Sequence, residues 1–165
     1  MRLYLMRHGT AINREDPGCP PEAERFLTED GIKKTRAAAR GLATLGIDPG
    51  AWLSSPYARA LQTGHIAAEE FGFPKGKIVE TGTLLPEGRP AEFYKEISRL
   101  KAEEVICFGH APQMDALIAF ALGARSAFTA LKKAGVAAVK LDRLSPPAGM
   151  LLWLYTPKTL RLLGE

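Results

Sequence analysis

Apolar positions in this chain fall into short unbroken runs that alternate with longer helical stripes. The run from Arg2 to Met6 ends directly at Arg7-His8-Gly9, the pattern of a central buried strand opening into a loop. Residues Asn13 to Pro21 are polar and rich in proline and glycine. Thr28 then caps a predicted helix whose first turn carries Glu29 and Asp30, favourable beside the positive helix end. That helix runs to about Leu45, with Gly46 as its stop. Trp52-Leu53-Ser54 predicts a second short strand. Ser55 is the N-cap candidate of the next helix, and Pro56 fits its first position, where a missing N–H is harmless.

This second helix continues to about Phe71. Lys77 to Glu80 predicts a third strand, Pro90 to Leu100 a short helix, and Val105-Ile106-Cys107-Phe108 a fully buried strand that ends at Gly109-His110. Pro112 starts a helix through about Leu122. Val136 to Leu141 and Met150 to Tyr155 are two further strands, separated by a Ser-Pro-Pro-Ala-Gly turn. The alternation implies an α/β three-layer sandwich: a mostly parallel sheet, helices on both faces, and an antiparallel edge near the C-terminus. Residues 1–165 are the length of a single domain with its own core.

Composition narrows the class without changing the fold. The 46% hydrophobic and 24% charged fractions are those of a globular protein. No apolar run approaches the ~20 residues of a membrane span, and the stretch before Arg7 is too short for a signal-peptide core, so a cytoplasmic protein with no membrane association is expected. Cys19 and Cys107 give neither a disulfide framework nor metal-ligand spacing and read as free thiols. The net charge of +4 is spread along helices with no nucleic-acid-binding pattern, which points to an anionic partner other than nucleic acid.

Candidate chemistry comes from convergence. Ligands of such sheets sit at the carboxyl ends of the strands. Three segments bring polar residues to that edge: Arg7-His8-Gly9, Ser54-Ser55-Pro56 through Arg59, and Gly109-His110. Arg59 lies in the first turn of its helix, where side chains lean back toward the N-terminus, so its guanidinium is expected over the strand ends and facing the Arg7–His8 loop. Two forked guanidinium groups match phosphate oxygens, and the starts of the helices at Pro56 and Pro112 add free N–H groups. A neutral His8 imidazole can attack phosphorus directly, with Gly9 expected to leave it accessible. No carboxylate cluster is placed to hold magnesium, so the reading is metal-free and cofactor-free, with the arginines and His110 stabilising the charge.

These residues carry a family resemblance. Arg7-His8-Gly9, the stretch Leu53-Ser54-Ser55-Pro56-Tyr57-Ala58-Arg59-Ala60-Leu61-Gln62-Thr63, and Gly109-His110-Ala111-Pro112 resemble, in order and spacing, the histidine phosphatase superfamily, the phosphoglycerate mutase-like fold. The resemblance implies His8 as the phosphorylated nucleophile, with Arg7, Arg59, His110 and Ala111 around the phosphate. Through Leu27-Thr28-Glu29-Asp30-Gly31, Leu85-Pro86-Glu87-Gly88 and Leu131-Lys132-Lys133-Ala134-Gly135 it extends along nearly the whole chain toward the SixA-type phosphohistidine phosphatases. The mutase-type run Thr-x-Trp-Asn is absent: Asn13 comes one place early and no Trp precedes it.

Length then bears on substrate. Only Gly72 to Glu104 separates the second helix from the later strand, and it must already supply a strand and a helix, so the cap over the site is expected to be minimal. An open site suits phosphohistidine on a signalling or phosphotransfer protein. An imidazole leaving group also takes up a proton readily near neutral pH. The general acid is left unassigned, with Glu87 and Glu80 as candidates. The alternative is a small phosphorylated metabolite, as for a phosphomonoesterase or a mutase-like enzyme, and a binding module without catalysis is the remaining class. His65 reads as a surface or packing residue, Trp153 and Tyr155 as core or edge-strand residues, Ser54 as a spare phosphate donor, and Thr63 as either a support for Arg59 or an ordinary helix threonine.

Overall fold

Alternation along β1 (Arg2–Arg7) decides the layering of the computed structural model, which describes residues 1–165. Leu3 and Leu5 enter one hydrophobic cluster and Tyr4 and Met6 another. The same split divides Val105 and Cys107 from Ile106 and Phe108 in β4 (Glu104–Gly109), and Leu53 from Trp52 in β2 (Ala51–Ser54). On the Leu3 face the sheet is covered by α3 (Pro90–Ile97) and α4 (Gln113–Ala121). The Tyr4 face carries α1 (Glu29–Ala43), α2 (Ala58–Phe71) and α5 (Pro157–Leu163). With β3 (Val79–Glu80), β5 (Val136–Leu144) and β6 (Pro147–Tyr155), the sheet has the order β3-β2-β4-β1-β5-β6.

β3, β2, β4 and β1 are parallel, whereas β5 runs antiparallel to β1, and β6 to β5. This is the expected three-layer α/β sandwich with an antiparallel edge. The ends of β1, β2 and β4 therefore meet at one sheet edge. The start of β5 and the end of β6 come there too, since Val136 pairs with both Met6 and Tyr155.

Several boundaries differ from expectation, each for a local reason. The Thr28 hydroxyl accepts from Gly31 N at 3.0 Å as predicted, but α1 stops at Ala43, short of Leu45, where Thr44 closes its end. α2 starts at Ala58, not at Pro56, because Ser55 N still donates to Phe108 O at 2.9 Å; the chain keeps its strand path there and turns only afterwards. The third strand shrinks to two residues because Lys75–Lys77 is already a 3-10 turn. α3 closes at Ile97, and α4 begins after Pro112.

The expected five-residue turn before the last strand is only Ser145-Pro146. Pro147 and Gly149 are instead edge-strand residues paired with Leu144 and Leu141, and an edge position tolerates Pro147's missing N–H. α5 was not anticipated; its seven residues are too few for a readable stripe, though Thr156 caps it by accepting from Thr159 N. No helix is long and apolar enough to cross a membrane.

α5 is held by backbone proximity to α1. A Cβ at Gly41 would lie 1.6 Å from Leu160 O. In an open helix Gly→Ala is worth about 0.5–1 kcal/mol of stabilisation, yet overpacking against immovable backbone costs about 1–3 kcal/mol. Gly41→Ala is expected to destabilise the fold by about 2 kcal/mol, read as a lower urea midpoint. Gly76→Ala, with open space around it, should change stability by less than about 0.5 kcal/mol.

Candidate active site

The backbone of His8 is fixed before its side chain is considered. His8 N donates to Gly109 O at 2.9 Å, carrying the β1–β4 ladder one step past the strand. Ala134 N lies 3.0 Å from Arg7 O and 3.1 Å from His8 O, and Arg7 N donates to Gly135 O. Ala134 has φ 58°, the only residue other than glycine in the left-handed region. Gly9 N donates to the Thr63 hydroxyl at 3.0 Å, and that hydroxyl donates to Arg59 O. Thr63 thus ties the histidine loop to the first turn of α2, while the Arg59 guanidinium bonds to His8 and Glu22 instead.

Gly9 serves packing more than access. A Cβ there would meet the Thr35 hydroxyl at 2.1 Å and Gly31 O at 3.4 Å, on the side of α1, so the glycine lets the loop lie against that helix. This corrects the expectation that Gly9 clears the face of the imidazole.

The His8 tautomer follows from its contacts. Nδ1 is 2.7 Å from the carbonyl of Gly9, which can only accept, so Nδ1 carries the proton. Nε2 is therefore unprotonated, and its lone pair accepts from Arg59 Nε at 3.3 Å. Burial pushes the His8 pKa down to about 4, against the raising effect of the Gly9 carbonyl, and Arg59, Arg7 and Lys133 push it further down. His8 is neutral near pH 7, the form a nucleophile needs.

His110 lies beside it, ring centroids 5.2 Å apart. Its Nε2 is 2.8 Å from the Ser55 hydroxyl, which also accepts from Tyr57 N. Ser55 therefore orients His110 as well as closing the turn before α2. Burial, then Arg59 and His8, lower the His110 pKa to about 3. A phosphate dianion among these groups supplies a field of opposite sign and favours protonation of His110.

All of Arg59's hydrogen-bonding nitrogens are engaged. Beyond Nε toward His8, Nη1 donates to Glu22 O and Nη2 to Glu22 Oε1, both at 2.8 Å. The Glu22 carboxylate also accepts from Arg14 and Arg25, and these contacts hold its pKa down to about 2, Arg14 foremost. Arg7 anchors through Nη1 to Leu131 O at 2.9 Å. Arg7 Nε and His110 Nδ1 are buried with no partner in the chain, an arrangement that costs about 1–3 kcal/mol per group unless a ligand satisfies it.

The resulting cavity is about 580 Å³, and Arg7, His8, Arg59, His110 and Ala111 all line it, so the expected site residues come together. Ala111 N makes no backbone hydrogen bond. The sequence reading missed the rim: Arg14, Glu15, Glu22 and Arg25 from the polar loop before α1, and Lys133 from the turn before β5. Recurrent charges in that Pro/Gly-rich loop were the available signal. Five cations face two carboxylates, and no three His, Cys, Asp or Glu side chains gather anywhere as metal ligands.

Of the segment from Gly72 to Glu104, only Pro86 reaches the cavity. Glu87 and Glu80 are exposed and do not line it. His65 lies outside the site. Trp153 and Tyr155 stack on each other at 4.7 Å against the core, and Ser54 donates to Ser55 O, away from the cavity. Cys19 and Cys107 are free thiols.

Comparison with known proteins bears on the family and the fold. Residues 3–82 match the family model described as "Histidine phosphatase superfamily (branch 1)". An uncharacterised protein of Picosynechococcus sp. is 34% identical over 141 residues, covering 82% of each chain. The structure of the protein histidine phosphatase SixA complexed with tungstate superposes with a TM-score of 0.85 at 24% identity, covering 97% of this chain and 99% of that one. A mycobacterial glucosyl-3-phosphoglycerate phosphatase with inorganic phosphate gives 0.72 at 16% identity, covering 95% and 98%. At these identities the two structures establish the shared fold.

Two buried neutral imidazoles make stability depend on pH. Both folded pKa values lie below the ordinary 6.5, so between about pH 3 and 6.5 the unfolded chain binds more protons and stability rises with pH. The stability these groups lend is present above about pH 6.5, falls away as pH drops toward 4 for His8 and 3 for His110, and is gone below. Urea midpoints measured from pH 7 to 4 should decline for the native chain and decline less for His8→Gln and for His110→Gln. Parallel curves for all three would contradict the burial assigned to the two rings.

Proposed function

The chain belongs to the histidine phosphatase superfamily, and from that premise we propose that it is a metal-independent phosphohistidine phosphatase with His8 as covalent relay. The observation carrying the reading is the His8 tautomer: Nδ1–H is spent on the Gly9 carbonyl, which leaves Nε2 unprotonated, accepting only from Arg59 Nε at the wall of a cavity lined by arginines. Nε2 attacks phosphorus, a bond forms from His8 to phosphorus, and the bond from phosphorus to the substrate nitrogen breaks. Water then cleaves the His8–phosphoryl bond and inorganic phosphate leaves. Gly9 O stabilises the positive charge that His8 acquires while phosphorylated. Arg7, Arg59, His110 and the Ala111 amide hold the phosphoryl oxygens.

The leaving group favours phosphohistidine over an ester. An alkoxide needs a positioned acid, whereas a substrate imidazole protonated on its distal nitrogen departs as a neutral molecule. Glu22 is the carboxylate paired with Arg59, and it is ionised far below neutral pH through its three arginines, so it is a poor proton donor. The open roof, with only Pro86 contributed by the segment that would form a cap, admits a protein-borne residue. The SixA likeness points the same way.

A substrate panel assayed with chelator tests the proposal. A phosphohistidine-bearing phosphotransfer protein and phosphoramidate should be turned over at least tenfold faster, in kcat/KM, than sugar or glycerate phosphates, a margin of about 1.4 kcal/mol. Faster hydrolysis of the esters would replace this reading with that of a small-molecule phosphomonoesterase. His8→Ala should abolish acid-labile phosphate trapped on the enzyme, and label surviving that change would remove His8 from its role.

A further inference from the structure

Beside the active site lies a second cavity of about 270 Å³, enclosed by α1, the turn before β5 and the start of α5. Lys34, Lys133, Lys158 and Arg161 line it, with Thr10 and Thr35 between them, and no Asp or Glu does. Lys133 lines both cavities, so the two basic pockets are neighbours that share one side chain. Its position relative to His8 is set by backbone, since the next residue, Ala134, bonds the carbonyls of both Arg7 and His8.

The other cations arrive through topology. The end of β6 returns to the edge where β1 ends, and α5 packs on α1 at Gly41, which brings Lys158 and Arg161 alongside Lys34. Two acidic groups lie near these cations without entering the cavity. Asp30 pairs with Lys34 at 2.7 Å, and Glu165 stands 4.0 Å from Arg161, both pairs largely exposed and therefore weak. Lys133 and Lys158 have no carboxylate partner within 4.0 Å.

We propose that this pocket is a docking site for acidic side chains, Asp or Glu, that flank the phosphorylated residue of a protein substrate. The inference rests on the phosphohistidine reading for the identity of that residue. Like charges gathered without neutralising partners repel one another, and an anion placed among them relieves the repulsion. Because Lys133 borders both pockets, an acidic side chain in the second lies beside the phosphoryl group in the first, so one extended ligand can occupy both at once. A small monophosphate fills only the first. The site therefore contributes to affinity for protein substrates and not to the chemical step.

The test compares the native enzyme with K158E/R161E, two exposed positions outside the catalytic cavity. A labelled peptide carrying unphosphorylated histidine between glutamates should bind the native enzyme and bind the variant roughly tenfold more weakly by fluorescence anisotropy at low salt. The same peptide with glutamines should bind neither. K101E/K140E makes the same change in net charge at the opposite edge of the sheet, and should leave binding of the acidic peptide unchanged. The milder K158A/R161A, with thermal melting checked alongside, guards against misfolding and should weaken binding by a smaller factor. For the phosphohistidine form of the acidic peptide, KM should rise roughly tenfold in K158E/R161E at constant kcat, with phosphoramidate turnover unchanged.

Equal affinity of native and K158E/R161E enzyme, equal loss in K101E/K140E, or no discrimination between glutamate and glutamine peptides overturns the docking site. Absence of turnover of any phosphohistidine peptide by the native enzyme overturns the catalytic reading instead, and the anisotropy result stands apart from it.

Discussion

One hydrogen bond beyond the end of the β1–β4 ladder, from His8 N to Gly109 O, sets the distance between two histidines that are remote in sequence. Parallel pairing puts Arg7 level with Gly109, so the next residue on each strand leaves the sheet at the same height. The Ala134 amide and the Thr63 hydroxyl then fix the loop from two further directions. With the backbone held by partners from β4, α2 and the turn before β5, the imidazole needs only one contact of its own, to Gly9 O, to fix its tautomer. Such restraint from several elements is what keeps a reactive side chain in one geometry.

Electrostatics builds on that frame. Burial keeps both histidines neutral, and the arginines around them act in the same direction. Glu22 offsets part of that positive field while gripping Arg59 through both its carboxylate and its carbonyl oxygen, which turns the Nε edge of the guanidinium toward His8. Positive charge does not stop at the first cavity: Lys133 also lines the second, with Lys34, Lys158 and Arg161, so cations cover more of the sheet edge than one phosphoryl group spans.

Much of this was readable along the chain because it depends on local pattern. Apolar runs closed by Arg7-His8-Gly9 and Gly109-His110 marked parallel strands ending at a common edge. Thr28 marked a cap that the structure reproduces, and Arg59 in a first helical turn indicated a side chain pointing back over the strand ends. Where the local signal was ambiguous the reading slipped. Ser55 looked like a helix cap, but its hydroxyl serves His110 and its amide stays bonded to β4. Pro147 and Gly149 looked like turn residues, yet an edge strand accepts both.

Local pattern along the chain was enough for the alternating architecture and for placing Arg7, His8, Arg59 and His110 at one edge of the sheet, because each depends on neighbours within a few residues. Three-dimensional packing was needed to show which nitrogen of His8 is unprotonated, that Gly9 packs against α1, that Glu22 holds Arg59, and that Lys34, Lys133, Lys158 and Arg161 share one pocket. Apart from the His8 contact with the adjacent Gly9, these join residues tens to more than a hundred positions apart. They arise from strand order and helix packing, which no local periodicity along the chain records.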